Sequence, residues 1–342
     1  MGTYLPAVEV TRGPLVESVH AAAVAVAGAQ GAIVARLGGV EHAVFLRSAA
    51  KPFQAIAVLE SGAVERFRLS TEEIAVMTGS HNSEPDHLEA VSSLLGKIGL
   101  DASALQCGTH VPFSRKVAEA YRREGRPFTA LENNCSGKHA GMLAAALAGG
   151  HQAATYLDPS HPVQQRILGV MADMTGRVRD RIEVAIDGCG VPTFGVTLAE
   201  AARAFARLLP AGSSGGPHAE AASRVVEAMR AHPLMVAGRG MLDTALTAHP
   251  RHRMVAKRGA EGVQCVAFQP DQGGPLGLAA KIGDGDNGRA RVAIACEALR
   301  QLGILEDGEA AGLSDERETL VVRNNAGREV GRVRPAFVLN RT

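Results

Sequence analysis

Short apolar runs rich in β-branched residues occur toward both ends of the chain. Between residues 8 and 46 they are VEVTRG, GAIVARLGG and HAVFL, separated by glycines. Beyond residue 250 the pattern returns in RMVAKRG, VQCVAFQP, GLAAKIGDG, ETLVVRN and GREVGRVRP. Runs of this length and composition are typical of antiparallel strands joined by tight turns. Both ends of the chain are therefore predicted to supply strands.

Between these ends, apolar positions recur three and four residues apart. This spacing, with glycine or proline at the segment ends, is found in TEEIAVMTG, DHLEAVSSLLGKIGL, SRKVAEAYRREG, SGKHAGMLAAALAGG, VQQRILGVMADMTG and LAEAARAFARLLP. It is the period of an amphipathic helix. One more helix is predicted after PAGSSGGPHAE, whose central GSSGG is interpreted as a surface connection, and another in RARVAIACEALRQLG.

Strands at both ends around a helical middle predict an α+β fold. An antiparallel sheet would be assembled from the two termini, with an inserted helical region. We expect a single unit over residues 1–342, with a sheet lobe in roughly 1–47 and 250–342 and a helical region in roughly 48–249. With 342 residues, 46% of them hydrophobic, the chain can bury a large core without disulfides.

Charge and cysteine content narrow the possible partners and compartment. Lysine and arginine total 36 against 35 for aspartate and glutamate, so the whole chain is not drawn to nucleic acid or anionic lipid, and a small-molecule partner is favoured. The five cysteines are an odd number scattered through a large chain, which is typical of reduced thiols. No secretory leader or membrane span is expected, because the N-terminus lacks a basic stretch before an apolar one. We predict a cytoplasmic protein.

Ser48 and Lys51 lie three residues apart where a strand-like run meets a helix-like one, in FLRSAAKPFQAI. Pro52 is compatible only with the first turn of a helix, so the helix is predicted to begin between Ser48 and Lys51. A serine there faces backbone N–H groups and the positive end of the helix dipole, and a neutral lysine can accept its proton. The alternative is a capping serine beside a solvated lysine, because Ser-x-x-Lys is a short pattern.

Two later stretches favour the catalytic interpretation. TGSHNSEPDH contains Ser80 and Asn82 as Ser-x-Asn, and RMVAKRGAEG contains Lys257 and Gly259 as Lys-x-Gly. Ser-x-x-Lys, Ser-x-Asn and Lys-x-Gly, in this order, are the motifs of serine β-lactamases and penicillin-binding proteins, in which one serine is the nucleophile. The third motif departs from that pattern, because Arg258 stands where those proteins have a small hydroxyl residue.

A closer resemblance covers almost the whole chain. LRSAAKPFQ, GSHNSEPDH, NNCSGKHAGM, DGCGVPTF, HPLMVAGRGMLDT and KRGAEG occur in this order and resemble the L-asparaginase II sequence family, the rhizobial-type or class 3 asparaginases. The resemblance implies a serine β-lactamase-like fold and hydrolysis of L-asparagine to L-aspartate and ammonia. Residues 300–342 add little to it.

The resemblance also implies a role for individual residues. Ser48 with Lys51, and Ser80 with Lys257, are similar to the family's two serine–lysine pairs, with Ser48 as the nucleophile that forms an acyl-enzyme. Asp187 would hold the α-ammonium group of the substrate. The substrate-binding residues implied in full are Arg47, His81, Asn82, His139 and Asp187. The zinc ligands implied are Cys135, Lys138 and Cys189. We also predict a homodimer.

The residues of the implied zinc site have a plainer interpretation as well. Cys135 and Lys138 lie three residues apart at the start of a predicted helix, so their side chains can point the same way. Cys189 follows the strand-like RIEVAI in a turn. Two thiolates suit zinc, but a lysine ligand must first lose its proton, and scattered cytosolic cysteines are commonly buried without a metal. A metal here is expected to orient the substrate-holding residues and not to activate water.

Two other functions fit parts of the pattern. The three motifs also suit an amidohydrolase that acts on a β-lactam or a peptide, although such substrates lie outside the cytoplasm. A non-catalytic amino-acid- or zinc-binding protein would need neither lysine, whereas this chain has both lysines alongside both serines. We therefore expect hydrolysis of L-asparagine by attack of Ser48, with Ser80 and Lys257 relaying protons.

Overall fold

A computed structural model describes residues 3–213, 216–309 and 313–342. The Cα positions divide into two compact units. One, which we call the sheet unit, contains the residues up to Ala49, Gly195–Gly212 and the residues from Gly240 onward; the other, the helical unit, contains Ala50–Phe194 and Ser213–Arg239. The predicted surface connection GSSGG lies partly outside the described residues, because 214 and 215 are not among them.

The described part of the chain contains twelve strands. They are β1 (Leu5–Arg12), β2 (Leu15–Gly28), β3 (Ile33–Leu37), β4 (Ala43–Phe45), β5 (Glu183–Ile186), β6 (Pro192–Thr197), β7 (Met254–Gly259), β8 (Val263–Phe268), β9 (Leu276–Ile282), β10 (Val321–Arg323), β11 (Glu329–Pro335) and β12 (Asn340–Arg341). The main sheet has the order β10-β11-β1-β2-β9-β8-β7, with β3 beside β2 and β12 beside β3. Its strand pairs are antiparallel, so the predicted antiparallel sheet from both ends of the chain is confirmed.

Twelve α-helices lie in the described residues. They are α1 (Lys51–Leu59), α2 (Ala63–Phe67), α3 (Thr71–Met77), α4 (Pro85–Lys97), α5 (Arg115–Arg123), α6 (Ser136–Ala148), α7 (Pro162–Thr175), α8 (Leu198–Ala206), α9 (Pro210–Ser213), α10 (Ala219–Ala231), α11 (Leu242–Thr247) and α12 (Ala290–Gln301). None of the described helices is long and apolar enough to cross a membrane. The helices predicted from the three-and-four spacing are all present, within a few residues of their expected ends.

The sheet unit buries both faces of its sheet. On one face, alternate residues of β9 such as Leu278 and Ala280 join a core with α11 and α12, because successive strand residues point to opposite faces. The other face carries α8, which packs on β9 so closely that a Cβ on Gly277 would lie 1.9 Å from the Ala202 carbonyl oxygen. Glycine at this position therefore sets how near α8 can come to the sheet.

The helical unit is built around α1, in which every residue is buried. A helix that is buried on all sides belongs at the centre of a bundle, and α1 packs against α6, α7 and α10. The start of α6 approaches the end of α3 closely, since a Cβ on Gly137 would lie 2.3 Å from the Val76 carbonyl oxygen. This approach brings the residues after α3 next to the first turn of α6.

The expected helical region, roughly 48–249, does not coincide with the observed helical unit. Both Gly195–Gly212 and the residues from Gly240 onward belong to the sheet unit. The spacing of apolar residues predicts that α8 is a helix, but it does not indicate which surface that helix covers. The observed partner of α8 is the main sheet, through β9, β2 and β8.

Candidate active site

The ammonium group of Lys51 is fully buried in the first turn of α1. Its Nζ donates hydrogen bonds to the Ser80 hydroxyl at 3.0 Å, to the Asn134 carbonyl at 3.2 Å and to the Gly79 carbonyl at 2.5 Å. Burial lowers the pKa of Lys51 from its ordinary value, and the nearby Cys135 opposes that shift only in part. A lysine in this state can give up its proton more readily than a solvated one.

Lys51 contacts Ser80, the serine of the Ser-x-Asn motif. The resemblance paired Ser80 with Lys257, and the structure adds a direct bond from Lys51 to the Ser80 hydroxyl. Ser80 is held by its own backbone, whose N–H donates to the Val236 carbonyl at 2.9 Å. A Cβ on the preceding Gly79 would lie 2.3 Å from the Met235 carbonyl oxygen, so this extended segment is fixed on its neighbour.

Ser48 lies in the short 3₁₀ turn Arg47–Ala50, which leads into α1. The N-cap of α1 is Ala50 and no side chain caps the helix, so Ser48 is not the capping serine of the alternative interpretation. Arg47 has a φ of 51°, in the left-handed region that non-glycine residues seldom adopt. The Lys-x-Gly strand end lies against this turn, because a Cβ on Gly259 would be 2.3 Å from the Leu46 carbonyl oxygen.

Lys257 projects from β7 of the sheet unit and is fully buried. Its Nζ lies 3.8 Å from Oδ2 of Asp243 and donates to the Arg258 carbonyl at 3.2 Å. The structure therefore gives this lysine a carboxylate neighbour that sequence reasoning did not identify.

His81 and Asn82, the predicted substrate-binding residues after Ser80, are both buried. The Ser83 N–H donates to Nδ1 of His81 at 3.2 Å, so Nε2 carries the proton and donates to the Ser136 hydroxyl at 2.9 Å. Burial and the neighbouring His87 hold the pKa of His81 well below its usual value, which keeps the ring neutral. The Asn82 Oδ1 is buried and has no hydrogen-bond partner among the described residues.

The three predicted zinc ligands converge at the start of α6. Cys135 is the residue before the helix, and the Lys138 Nζ donates to the Cys189 Sγ at 2.9 Å. A hydrogen bond from the Cys189 thiol lowers the pKa of Cys135 well below its usual value and raises that of Cys189. Burial opposes the charge on Lys138, but the two sulfurs outweigh it and raise the pKa of that lysine. The negative charge is therefore favoured on Cys135, and the Lys138 ammonium bonds to the neighbouring Cys189 sulfur.

Cys189 owes its position to a tight turn between β5 and β6. The Gly190 N–H donates to the Asp187 carbonyl at 2.9 Å, and the Asp187 N–H donates to the Val191 carbonyl at 2.8 Å. Asp187 is half-buried, and its Oδ1 accepts from the Gly188 N–H at 2.7 Å. The turn thus presents one predicted zinc ligand and one predicted substrate-binding carboxylate together.

His139 is buried next to Lys138 and bonds to a residue that sequence reasoning missed. Its Nδ1 lies 2.7 Å from the Tyr156 hydroxyl, which also accepts from the Gln106 N–H at 2.9 Å. The tyrosine must therefore donate to Nδ1, which leaves the proton of the neutral ring on Nε2. That nitrogen is buried and has no partner within the described ranges. Burial, with Lys138 and Lys51, holds the pKa of His139 well below its usual value.

The structure collects most of the predicted residues within the helical unit. These are Lys51, Ser80, His81, Asn82, Cys135, Lys138, His139, Asp187 and Cys189. Arg47, Ser48 and Lys257 belong to the sheet unit. The residues missed from the sequence include Ser136 and Asn134, which flank Cys135 in NNCSGKHAGM and could have been found from that stretch. Tyr156 lies outside every motif, so no sequence signal pointed to it.

The donor set at the start of α6 fits zinc chemically. Two sulfurs and an amine come together, and one thiol already has a lowered pKa, as a thiolate ligand requires. No group of three or more histidine, cysteine, aspartate or glutamate side chains that could hold a metal occurs in the described part of the chain. A metal at this position would therefore need the Lys138 amine as its third ligand, in the neutral form.

The motifs and the buried Lys51–Ser80 contact agree with an amidohydrolase. Residues 8–335 match the model of the L-asparaginase II family, so the chain belongs to the L-asparaginase II family. The expectation drawn from the six sequence blocks is thereby confirmed over nearly the whole chain. Comparison with curated proteins gave no match.

Similar solved structures include both glutaminases and a β-lactamase. Mglu in its native form in the presence of 4.3 M NaCl is 17% identical with a TM-score of 0.38, and the match covers 83% of this chain and 61% of Mglu. A β-lactamase from Burkholderia ambifaria is 14% identical with a TM-score of 0.38, over 83% of this chain and 94% of that one. A Bacillus glutaminase in the presence of 4.3 M NaCl is 13% identical with a TM-score of 0.35, over 78% and 84%. The chain thus spans under two thirds of the length of Mglu, and the assignment depends on the family match.

Proposed function

We propose that this protein hydrolyses L-asparagine to L-aspartate and ammonia through an acyl-enzyme on Ser48. The observation that carries the proposal is the buried Lys51, whose lowered pKa and bond to the Ser80 hydroxyl suit a lysine that accepts and returns protons. Membership of the L-asparaginase II family supports an amide of this kind as the substrate.

The proposed reaction begins with the transfer of the Ser48 hydroxyl proton to a neutral Lys51. The serine oxygen attacks the side-chain amide carbon, and backbone N–H groups stabilise the oxyanion that forms. The Lys51 ammonium then returns a proton, through the Ser80 hydroxyl that it already contacts, to the departing nitrogen, which leaves as ammonia. Water adds to the acyl-enzyme by the same proton path in reverse, releasing aspartate and restoring the Ser48 hydroxyl. Lys257 is also assigned to the proton relay.

Two of the polar residues assigned to substrate recognition have a buried atom without a partner in the described part of the chain. The Asn82 Oδ1 and the His139 Nε2 are both buried without a partner among the described residues. An unpaired buried polar atom is costly, which favours a ligand that satisfies it. We assign the substrate's α-ammonium to Asp187, its α-carboxylate to Arg47, and the remaining polar contacts to His81, Asn82 and His139.

A zinc ion would be held by Cys135, Lys138 and Cys189. When bound, it would supply a fixed positive charge that holds the start of α6 and the Asp187 turn in one arrangement. The residues that attack the amide and move protons do not include these three, so their contribution is to orientation and not to the attacking water.

Ammonia release from L-asparagine and L-glutamine, with ring opening of a β-lactam, tests the substrate in one sample. The proposal expects asparagine to be hydrolysed with the highest kcat/KM. Turnover of glutamine alone would make the protein a glutaminase. Ring opening without ammonia release would indicate an amidohydrolase that acts on β-lactams. No turnover of any of the three would indicate a binding protein.

Assembly and compartment are also proposed from the sequence. We propose a homodimer, which light scattering of the purified protein would test by giving twice the 35.6 kDa chain mass. The five cysteines are all free and buried, which supports a reducing compartment such as the cytoplasm.

A further inference from the structure

A chain of buried polar contacts connects Lys257 to the C-terminal part of the protein. The Asp243 Oδ2 lies 3.8 Å from the Lys257 Nζ, and the Asp243 Oδ1 accepts from the Gln264 amide at 2.9 Å. Gln264 in turn accepts from the Arg291 Nη1 at 2.6 Å, and Arg291 donates its Nη2 to Glu316. All five residues belong to the sheet unit.

The members of this chain are buried to an unusual degree for charged groups. Lys257 and Gln264 are 0% exposed, and Asp243 and Arg291 are each 1% exposed. Burial acts against the Asp243 charge, but Lys257, Arg291 and Arg258 outweigh it and lower the pKa of this carboxyl. A buried ionic network is often no more stable than a packed apolar one, so stability alone gives little reason for it.

Glu316 enters the network through a turn that docks on the residues before α11. It lies in the 3₁₀ segment Asp315–Leu320, whose Asp315 N–H donates to the Gly240 carbonyl at 2.8 Å. The second carboxylate oxygen of Glu316 accepts from the Leu242 N–H at 2.6 Å. Gly240 has a φ of 75°, and a Cβ there would lie 2.3 Å from the Asp315 carboxylate, so the docking needs glycine.

Asp243 has its orientation fixed from two sides. Its Oδ2 accepts from the Arg258 N–H at 2.8 Å, while Gln264 holds Oδ1. Gln264 can present its amide N–H₂ to Asp243 only if its carbonyl faces Arg291, and Arg291 is kept in place by Glu316. The position of the carboxylate beside Lys257 therefore depends on a residue from the C-terminal segment.

We propose that Asp243, oriented through Gln264 and Arg291 by Glu316, is the positioning residue that fixes the Lys257 amine for proton transfer. The inference rests on the proposed function to the extent that Lys257 relays protons in amide hydrolysis. It gives residues beyond 300, which the motif blocks do not cover, a part in supporting the reaction.

Glu316→Gln removes the charge while keeping the shape, and Asp243→Asn removes the carboxylate beside Lys257. We expect kcat for L-asparagine to fall about tenfold in the first variant and about a hundredfold in the second, with KM within about twofold of wild type. Glu316→Asp should retain more activity than Glu316→Gln. Glu329→Gln is the matched control, because Glu329 forms an exposed ion pair with Arg332 in the same part of the chain.

The Lys257 amine provides a second measurement that does not depend on turnover. The chain has six lysines, so their labelled ¹³Cε signals can be resolved by NMR and Lys257 assigned by its loss in Lys257→Gln. Among the described charged and titratable groups, Asp243 and Cys265 interact with Lys257 directly. Arg258 and Arg291 interact with Asp243, and both pair with Glu316. Loss of the Glu316 charge leaves the two arginines less compensated, so the Lys257 titration should move down by about one pH unit.

The outcomes separate the inference from the proposed function. An inactive wild type with a Glu316-dependent Lys257 titration would overturn the amidohydrolase proposal and retain the coupling. An active wild type in which Glu316→Gln changes neither kcat nor the Lys257 titration would overturn the positioning role. If Asp243→Asn does not fold, Glu316→Gln decides alone, because Glu316 is partly exposed and glutamine keeps the shape of its side chain.

Discussion

At the scale of single residues, the candidate site depends on groups whose environment differs from water. Lys51 is fully enclosed and donates to Ser80, while Ser48 sits half-buried in the turn before it. Burial disfavours the ammonium form of a lysine, which is the condition for using it as a base near neutral pH. The chemistry proposed for these residues therefore follows from where they are buried.

Ser48→Ala should remove nearly all turnover and leave the fold unchanged. Loss of a nucleophile costs about a thousandfold or more in kcat, and Ser48 does not cap α1, so little stability depends on it. The measurements are ammonia release and thermal unfolding. Ser18→Ala, an exposed serine of β2 in the same unit, is the control and should keep full activity. A Ser48→Ala enzyme with wild-type turnover would exclude this residue as nucleophile.

The pH dependence of kcat/KM should follow the deprotonation of Lys51. Its pKa is lowered, so the fraction of neutral amine grows as pH rises through that value, and kcat/KM for L-asparagine should rise from neutral toward alkaline pH. Ser80→Ala removes the hydroxyl that Lys51 contacts and should lower kcat without abolishing acylation. A kcat/KM that stays level or falls over this range is the result that counts against lysine as the base.

At the scale of elements, close contacts between helix and turn ends set the geometry of the site. Gly137 lets the start of α6 approach Val76 at the end of α3, which brings Cys135 and Lys138 near the segment that carries Ser80. The hairpin turn between β5 and β6 supplies Cys189 to the same place. The predicted metal ligands thus come from elements that are distant in sequence.

Gly137→Ala should destabilise the protein by about 1–3 kcal/mol, because its Cβ would collide with the Val76 carbonyl. Gly169→Ala is the matched control within α7, where a Cβ meets nothing within 4 Å. That change should stabilise by about 0.5–1 kcal/mol, since alanine favours a helix over glycine. Urea unfolding measures both. Equal effects from the two variants would show that the α3–α6 approach is not tight.

Zinc analysis tests the convergence of α6 and the β5–β6 turn. We expect about one zinc per chain in protein purified without chelator. Cys135→Ala and Cys189→Ala should each lose the metal and raise KM more than they lower kcat, because the reacting serine and lysines remain. Cys296→Ala, a buried thiol in α12, is the control and should keep the metal. A metal-free wild type, or a cysteine variant with an unchanged KM, would reduce Cys135 and Cys189 to packed thiols.

At the scale of the whole molecule, stability should depend on pH through histidines with opposite behaviour. His218 bridges two carboxylates, with Glu60 at 2.6 Å and Asp173 at 3.1 Å, and the Glu60 hydrogen bond raises its pKa. His81 and His139 are buried as neutral rings, and their pKa values are lowered by burial. The His218 bridge therefore stabilises the folded protein at acidic pH, whereas burial of neutral His81 and His139 favours folding at neutral pH.

His218→Gln isolates the contribution of the His218 bridge to stability. A raised folded-state pKa gives stability that is fully present below about pH 6.5, the unfolded value, and is lost as pH rises through the folded value. The wild type should therefore exceed the variant in unfolding free energy by more at pH 6 than at pH 9. Denaturant unfolding at both pH values checks this. A difference that is the same at the two pH values would show that the bridge does not depend on the histidine charge.

The sequence by itself determined the elements and the chemical groups of this protein. The two-residue and three-to-four-residue periods specify strands and helices because side-chain direction repeats with the backbone. Pro52 specified the start of α1, and the motif blocks specified the family and most residues proposed for the site. These are local properties, so local sequence carries them.

Only the tertiary structure decided which of those groups meet. The Lys51–Ser80 contact, the Tyr156 hydroxyl on His139, the seating of α8 on β9 and the path from Lys257 to Glu316 each join residues far apart in the chain. Such pairings depend on how apolar faces are buried against one another, and many surfaces of similar hydrophobicity compete for each face. The periodicity of a segment shows that it has an apolar face, and the packing of the whole chain selects what covers it.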